Sequence, residues 1–299
     1  MTVAIGIDLG GTELRAAVVS ADGEVLAHVR TETAARDGPA AVVSQMAELV
    51  GRIAAGHDVR GVGIGSPGPL DAEAGVVVHA STLLGWNDVP LAALAEARLG
   101  LPVRIDNDAN VAALAEWRFG AGRGLRHMVY VTVSTGIGGG VILDGKLMHG
   151  RRSMAGEFGH MTITEAPVLC TCGAFGCWEA LASGPALGQR ATELGTLGRV
   201  TARDVARLAK AGDATALGLL AEEARYLGLG FANLLHLYAP EMIVVGGGVS
   251  DSLPAMQADI EAVIRRQAMP THRDVPIVAA ALGQRAGVIG AALLVLPEP

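Results

Sequence analysis

Val3-Ala-Ile-Gly-Ile-Asp8-Leu-Gly10-Gly11 and Val129-Tyr-Val-Thr-Val-Ser134-Thr-Gly136 stand 126 positions apart and read alike. Each is an apolar run with the composition of a buried strand, then a small or acidic residue, then a glycine turn into a second apolar strand. The second strand is Leu14–Val19 in the first copy and Val141–Leu143 in the other. In the first copy a third strand follows, Val25–Thr31, and then a helical pattern from Pro39 that stops at Gly56. A strand-strand-strand-helix unit that restarts midway through 299 residues predicts two similar α/β domains with a cleft between them.

Outward from the two copies, strands and helices alternate. Gly61–Gly65 is a short strand running into Ser66-Pro67-Gly68-Pro69, and Val103–Ile105 feeds Asp106-Asn107-Asp108-Ala109-Asn110. A helix then extends to about Phe119. In the second half the spacing predicts helices over about Thr201–Lys210, Ala214–Leu237, Leu253–Gln267 and Gln284–Leu296, with a strand at Glu241–Val245 entering Gly246-Gly247-Gly248. Thr201 with Asp204 has the form of a capping pair.

Composition narrows the function classes. Apolar residues make up 51%, enough for packed cores, and net charge is −7 with no Lys/Arg run longer than two. A basic nucleic-acid face is therefore not expected. The opening residues lack a basic start, a long apolar stretch and a cleavage site, so no secretory signal is read. The longest apolar run, Ala286–Leu296, is about half of what a bilayer needs. With three reduced cysteines, the expectation is a cytoplasmic protein without a membrane segment.

The cysteines carry the first chemical signal. Cys170, Cys172 and Cys177 follow His160 as H-x9-C-x-C-x4-C, a set able to close a tetrahedral zinc site. Glu157 and Glu179 flank it. A metal there staples a long loop and gathers Glu157, His160 and Glu179 into a polar pocket for a small hydroxyl-rich molecule. His160 can bind the metal through one ring nitrogen and offer the other to a substrate hydroxyl. Trp178 reads as a packing residue.

The second signal is the set of glycine turns at strand ends: Gly10, Gly11 and Thr12; Thr135 and Gly136; and Gly246, Gly247 and Gly248. Glycine lets the backbone approach phosphate oxygens and aim N–H groups at them. One such turn is explained by a tight hairpin; three at strand ends point to a nucleotide cleft. Neither a P-loop nor a dinucleotide fingerprint is present. Asp8, beside the first turn, can orient a magnesium ion through its water shell. Asp108, where a strand opens into a helix, is the candidate general base. A cap role accounts for one residue of that Asp/Asn cluster and less easily for four in five.

Assembled, these pieces resemble the ROK family of sugar kinases and sugar-responsive repressors, above all its bacterial glucokinases. Glu157-Phe-Gly-His160 and Cys170-Thr-Cys-Gly-Ala-Phe-Gly-Cys177-Trp-Glu179 match the family's E-x-G-H and C-x-C-G-x2-G-C-x-E patterns. Asp8-Leu-Gly-Gly-Thr12, Asn107-Asp-Ala-Asn110 and Thr135-Gly-Ile-Gly-Gly-Gly140 match its phosphate and catalytic motifs. The resemblance implies the actin-like, hexokinase-type (ASKHA) α/β fold, duplicated, with ATP and magnesium in the interdomain cleft. It also implies a structural zinc on His160, Cys170, Cys172 and Cys177, catalysis by Asp108, and sugar contacts from Gly68, Asn107, Glu157, His160 and Glu179. The domains expected are 1–119 with 284–299, and 120–283, and a homodimer or homotetramer is implied. Three positions depart from the family pattern: Glu13 where lysine is frequent, Thr82 where asparagine is common, and Ser134 where glycine is common.

The activity expected is transfer of the γ-phosphoryl group of ATP to the 6-hydroxyl of an aldohexose, glucose first. The alternatives are another hexose (an N-acetylhexosamine, mannose or fructose), polyphosphate as donor, a sugar-binding scaffold without turnover, and a sugar-responsive regulator. A regulator of this family places a helix-turn-helix before its first glycine motif, which here begins at Asp8.

Overall fold

The computed structural model describes residues 2–195 and 200–297, so positions 1, 298 and 299 of the first expected domain and 196–199 of the second lie outside the described residues. The first half runs β1 (Val3–Leu9), β2 (Glu13–Ser20), β3 (Val25–Glu32), α1 (Pro39–Ile53), β4 (Val59–Ser66), β5 (Leu70–Asp71), β6 (Val76–His79), β7 (Asn87–Val89), α2 (Leu91–Leu99), β8 (Val103–Asn107) and α3 (Asp108–Phe119). The second begins with β9 (Met128–Val133), β10 (Ile137–Leu143), β11 (Lys146–Leu147), α4 (Trp178–Ala182) and α5 (Gly184–Glu193). It continues with α6 (Ala202–Lys210), α7 (Ala214–Tyr238), β12 (Met242–Gly246), α8 (Leu253–Gln267), β13 (Ile277–Ala279) and α9 (Ala286–Leu293).

Two five-stranded sheets have the orders β3-β2-β1-β4-β8 and β11-β10-β9-β12-β13. Position by position, β9 stands where β1 does, β10 where β2 does and β12 where β4 does. The first three strands of each copy pair antiparallel, and the fourth and fifth add parallel. The two halves thus share one topology, which is the duplicated actin-like frame. Each sheet has its own apolar core, around Ile5, Ile7, Met46 and Ile64 in the first and Val131, Trp178, Phe231 and Ile243 in the second.

The copies diverge after their second strands. In the second copy the third strand, β11, holds only two residues. The helix that follows β3 in the first copy is replaced there by a long loop that carries the histidine and cysteines. β5, β6 and β7 form a small third sheet that hydrophobic alternation did not reveal, because these strands are two to four residues long.

The last helix of each half crosses over. α3 follows β8 of the first sheet yet packs on β9 and β10, and α9 follows β13 of the second sheet yet packs on β1 and β4. The two helices also pack on each other, with Ala112, Ala113, Ala115, Ala286 and Ala292 buried between the sheets. Close approach requires glycine: a Cβ at Gly63 would run into the Ala291 carbonyl, and one at Gly290 into that of Val111. The end of α3 is tied to the entry of α9 by Glu116, a fully buried carboxylate. It accepts the backbone N–H groups of Ala121 at 2.9 Å, Ala281 at 3.0 Å and Leu282 at 2.7 Å.

Candidate active site

Asp108 is the first residue of α3, which leaves β8 with Asn107 as its N-cap. Asn107 Oδ1 and Asp108 Oδ1 both accept the Ala109 N–H, at 2.9 and 2.8 Å. Water reaches Asp108 at the cleft, but protein crowds it on most sides. That crowding, and then the charge of Asp8, push its carboxyl up to about 7; Glu157 adds to the effect. Three carboxylates from three separate stretches of sequence therefore share one field, an arrangement typical of a site that manages protons or cations. Gly68 faces the same strand end; a Cβ there would lie 3.2 Å from Asn107 Nδ2.

Asp8 closes β1. Burial raises its carboxyl, while Arg15, 3.4 Å away, opposes the shift. The Gly10-Gly11 turn is tight, with the Gly10 N–H on the Glu13 carbonyl at 3.0 Å and Thr33 Oγ1 donating to the Gly10 carbonyl at 2.8 Å. Glu13, the unexpected acid after the turn, is held by Arg15, whose Nε donates at 2.7 Å, and by Arg30 at 3.3 Å. Residues 13 and 15 alternate onto one face of β2, so this neutralisation follows from strand geometry. Thr82 lies against Gly11: a Cβ on Gly11 would lie 2.6 Å from the threonine Cβ.

In the long loop, His160, Cys170, Cys172 and Cys177 present ligand atoms all within 4.8 Å of one another. Cys172 Sγ and Cys177 Sγ are 3.7 Å apart, and His160 Nδ1 is 3.6 Å from Cys170 Sγ. A tetrahedral zinc with Zn–S of about 2.3 Å and Zn–N of about 2.05 Å requires about 3.8 Å between sulfurs and about 3.6 Å between nitrogen and sulfur. The four residues fit that ion. Burial and the neighbouring sulfurs raise the Cys177 thiol, while hydrogen bonds from the Ala174 backbone and Cys170 lower that of Cys172. The other ring nitrogen, His160 Nε2, points to Glu157, with Oε2 at 3.9 Å. One nitrogen faces the cysteines and the other faces the pocket. Burial raises the Glu157 carboxyl, His160 lowers it and Glu179 raises it, which brings these three into one cluster.

Glu179 does something its place in the sequence did not reveal. From the first turn of α4 it reaches the second glycine turn and accepts the Ile137 N–H at 2.9 Å. It therefore links the cysteine loop to Thr135-Gly136. Ser134 and Thr135 in turn line a cavity of about 810 Å³ together with Gly184, Pro185 and Gly188 of α5, Val200–Arg203, and Gly248 and Val249. That volume suits a nucleotide. The α5 lining was missed in the sequence; its signal is the small residues Gly184 and Gly188 on one helix face. Of the third turn, only Gly248 lines the cavity. Gly247 has φ +83° and abuts the Val133 backbone, while Gly246 rests on the Tyr130 hydroxyl, so both serve the packing of the turn. Trp178 is fully buried and meets Phe231 edge-on at 5.5 Å between ring centroids, a packing residue as expected.

The frame is a duplicated two-sheet architecture in which Asp8, Asp108 and Glu157 share one field and Glu179 joins the cysteine loop to the second glycine turn. Residues 4–298 match the model of the ROK family, and the chain belongs to that family. It is 38% identical to a glucokinase of Halalkalibacterium halodurans over 97% of this chain and 94% of that one. Among solved structures it resembles a ROK family glucokinase from Streptomyces griseus in complex with glucose and AMPPNP, with TM-score 0.85, 36% identity, and 98% of this chain and 99% of that one covered. It also resembles a ROK family transcriptional regulator, a homolog of the E. coli MLC protein, with TM-score 0.89 and 28% identity over 98% of this chain and 77% of that one.

Proposed function

We propose that this protein is an ATP-dependent hexose 6-kinase that converts glucose to glucose 6-phosphate. The observation that carries the reading is Asp108, open to water at a helix start between the Asp8 turn and the Glu157–His160 cluster, where crowding and those neighbouring charges push its carboxyl up to about 7. A base with a carboxyl near 7 is matched to accepting a proton at physiological pH. In the reaction the sugar O6 attacks the γ-phosphorus of ATP, its proton passes to Asp108, and ADP leaves. Relatives 36–38% identical and covered over 94–99% of their length are glucokinases, which favours this reading over a regulator.

The roles follow the geometry. Asn107, Glu157, His160 and Glu179 receive the hexose hydroxyls, with Gly68 beneath the sugar. Gly10, Gly11, Thr12, Thr135, Gly136 and Gly248 offer N–H and hydroxyl donors to the phosphates, with Gly246 and Gly247 shaping the third turn. His160, Cys170, Cys172 and Cys177 would hold a zinc ion, which would fix the orientation of the imidazole. Magnesium near Asp8 supplies charge neutralisation for the triphosphate when bound. Closure of two lobes, 1–119 with 284–299 on 120–283, excludes water from the transfer. No described helix is long and apolar enough to cross a membrane, and a cytoplasmic homodimer or homotetramer completes the reading.

The test is a coupled ADP-release assay over a panel of hexoses, with ATP and polyphosphate as alternative donors. The expected result is highest kcat/KM for glucose with ATP. Preference for an N-acetylhexosamine or for polyphosphate would redirect the assignment, and no turnover with any sugar would remove it.

A further inference from the structure

Two residues before the proposed base lies a carboxylate that none of the roles above uses. Asp106 closes β8 and is 1% exposed. Its Oδ1 accepts the Asn107 backbone N–H at 2.7 Å and the Asn110 side-chain amide at 2.9 Å. Its Oδ2 meets His149 Nε2 at 2.7 Å. A buried carboxylate is costly unless its lone pairs are occupied by donors. Here three groups occupy them, and His149 is the one that arrives from the other half of the chain.

The segment bearing His149 is built to make this contact. It leaves β11 and turns back against β5, where Ser153 Oγ accepts the Ala72 N–H at 3.4 Å and Arg152 lies 4.0 Å from Asp71. The Ala155 N–H closes the turn onto the His149 carbonyl at 3.0 Å. Arg152 and Ser153 hold φ of +52° and +56°, a region that side-chain-bearing residues rarely enter. Strain of this kind persists only where surrounding contacts over-determine it, and it gathers at functional sites.

We propose that His149 and Asp106 are positioning residues for phosphoryl transfer: they fix the peptide that opens α3 and so aim Asp108 at the sugar hydroxyl. The chain of contacts is continuous. His149 orients the Asp106 carboxylate, which holds the Asn107 N–H. The turn so fixed places the Asn107 and Asp108 side chains on the shared Ala109 N–H. A misplacement of about 1 Å can cost about 10²-fold in rate in such reactions. The hydrogen bond to Asp106 also raises the His149 imidazole, consistent with a cationic partner for a buried anion. His149 itself is 42% exposed, so changing it leaves the cores intact.

The inference rests on Asp108 as the base in the kinase reading above. Its test compares His149→Gln, whose amide nitrogen reaches the position of Nε2, with His149→Asn, whose shorter amide does not reach Asp106. The expected result is kcat within about threefold of wild type for the glutamine variant and lower by about tenfold to a hundredfold for the asparagine variant. The hexose KM should move less than kcat, and both variants should melt near wild type. Equal kcat in the two variants, whether retained or lost, overturns the proposal, as does a loss confined to KM. An inactive wild type under the same assay overturns the kinase reading instead, before the variants are compared.

Discussion

At Asp108 two demands compete. Transfer of a proton from a sugar hydroxyl needs an ionised carboxylate, while the crowded cleft and the neighbouring Asp8 favour the protonated form. The free enzyme should therefore show an acidic limb in kcat/KM near pH 7, measured by steady-state kinetics from pH 5 to 9. Asp8→Asn removes a neighbouring negative charge that helps hold the Asp108 carboxyl up, so its residual activity should titrate at lower pH. Asp108→Asn should lower kcat by about 10²–10⁴-fold, the usual span for loss of a general base; near-normal turnover would release Asp108 from that role. The same substitution carries a sign for stability. Because the folded carboxyl titrates above its unfolded value, its contribution to stability is present in acid and is lost as pH rises through about 7. The asparagine variant should accordingly melt higher than wild type at pH 8 and show no such gain at pH 4, read by thermal denaturation.

At the scale of the element, the cysteine loop and α4 act as one unit. The loop is long and poor in regular structure, and four ligand atoms are packed in it at zinc spacing. Such an element gains its folding energy from the ion. Removing zinc with a chelator, or changing the exposed ligand in Cys172→Ser, should speed amide exchange over residues 160–177 and raise the hexose KM by about tenfold to a hundredfold. Full sugar affinity after proven metal removal would separate the loop from the site. The bond from Glu179 to the Ile137 N–H predicts a wider effect, because the loop also supports the second glycine turn. The motif itself was plain in the sequence, since soft ligands at short spacing have few other uses. The Glu179 bond was not, because it joins residues 42 positions apart.

For the molecule as a whole, the exchanged helices join the two halves. α3 and α9 each belong to one sheet by sequence and rest on the other by packing. Their approach leaves no room at Gly290, and Gly290→Ala should destabilise the protein by at least about 1–3 kcal/mol, the cost of overpacking a filled interior. Glu116→Ala should act at the same junction by a different route, removing three backbone hydrogen bonds from partly buried donors at about 0.5–1.5 kcal/mol for each. Chemical denaturation measures both, and a loss under about 0.5 kcal/mol for Glu116→Ala would show that water replaces its bonds.

The sequence alone determined the longer strands, their glycine turns, the repeat and the candidate metal ligands, because each rests on chemistry local to a few residues: alternation, positive-φ tolerance and ligand softness. It also named Asp108, since an acid at a strand-to-helix corner is legible without a partner. Only the tertiary structure decided what surrounds these groups. The burial that raises Asp108, the pairing of Glu13 with Arg15 and Arg30, the α5 wall of the nucleotide cavity and the His149 contact to Asp106 all join distant or cross-strand positions. Electrostatic fields and cavities depend on distance in space, and a linear order of residues carries no such distance until the sheets and the crossing helices have brought its parts together.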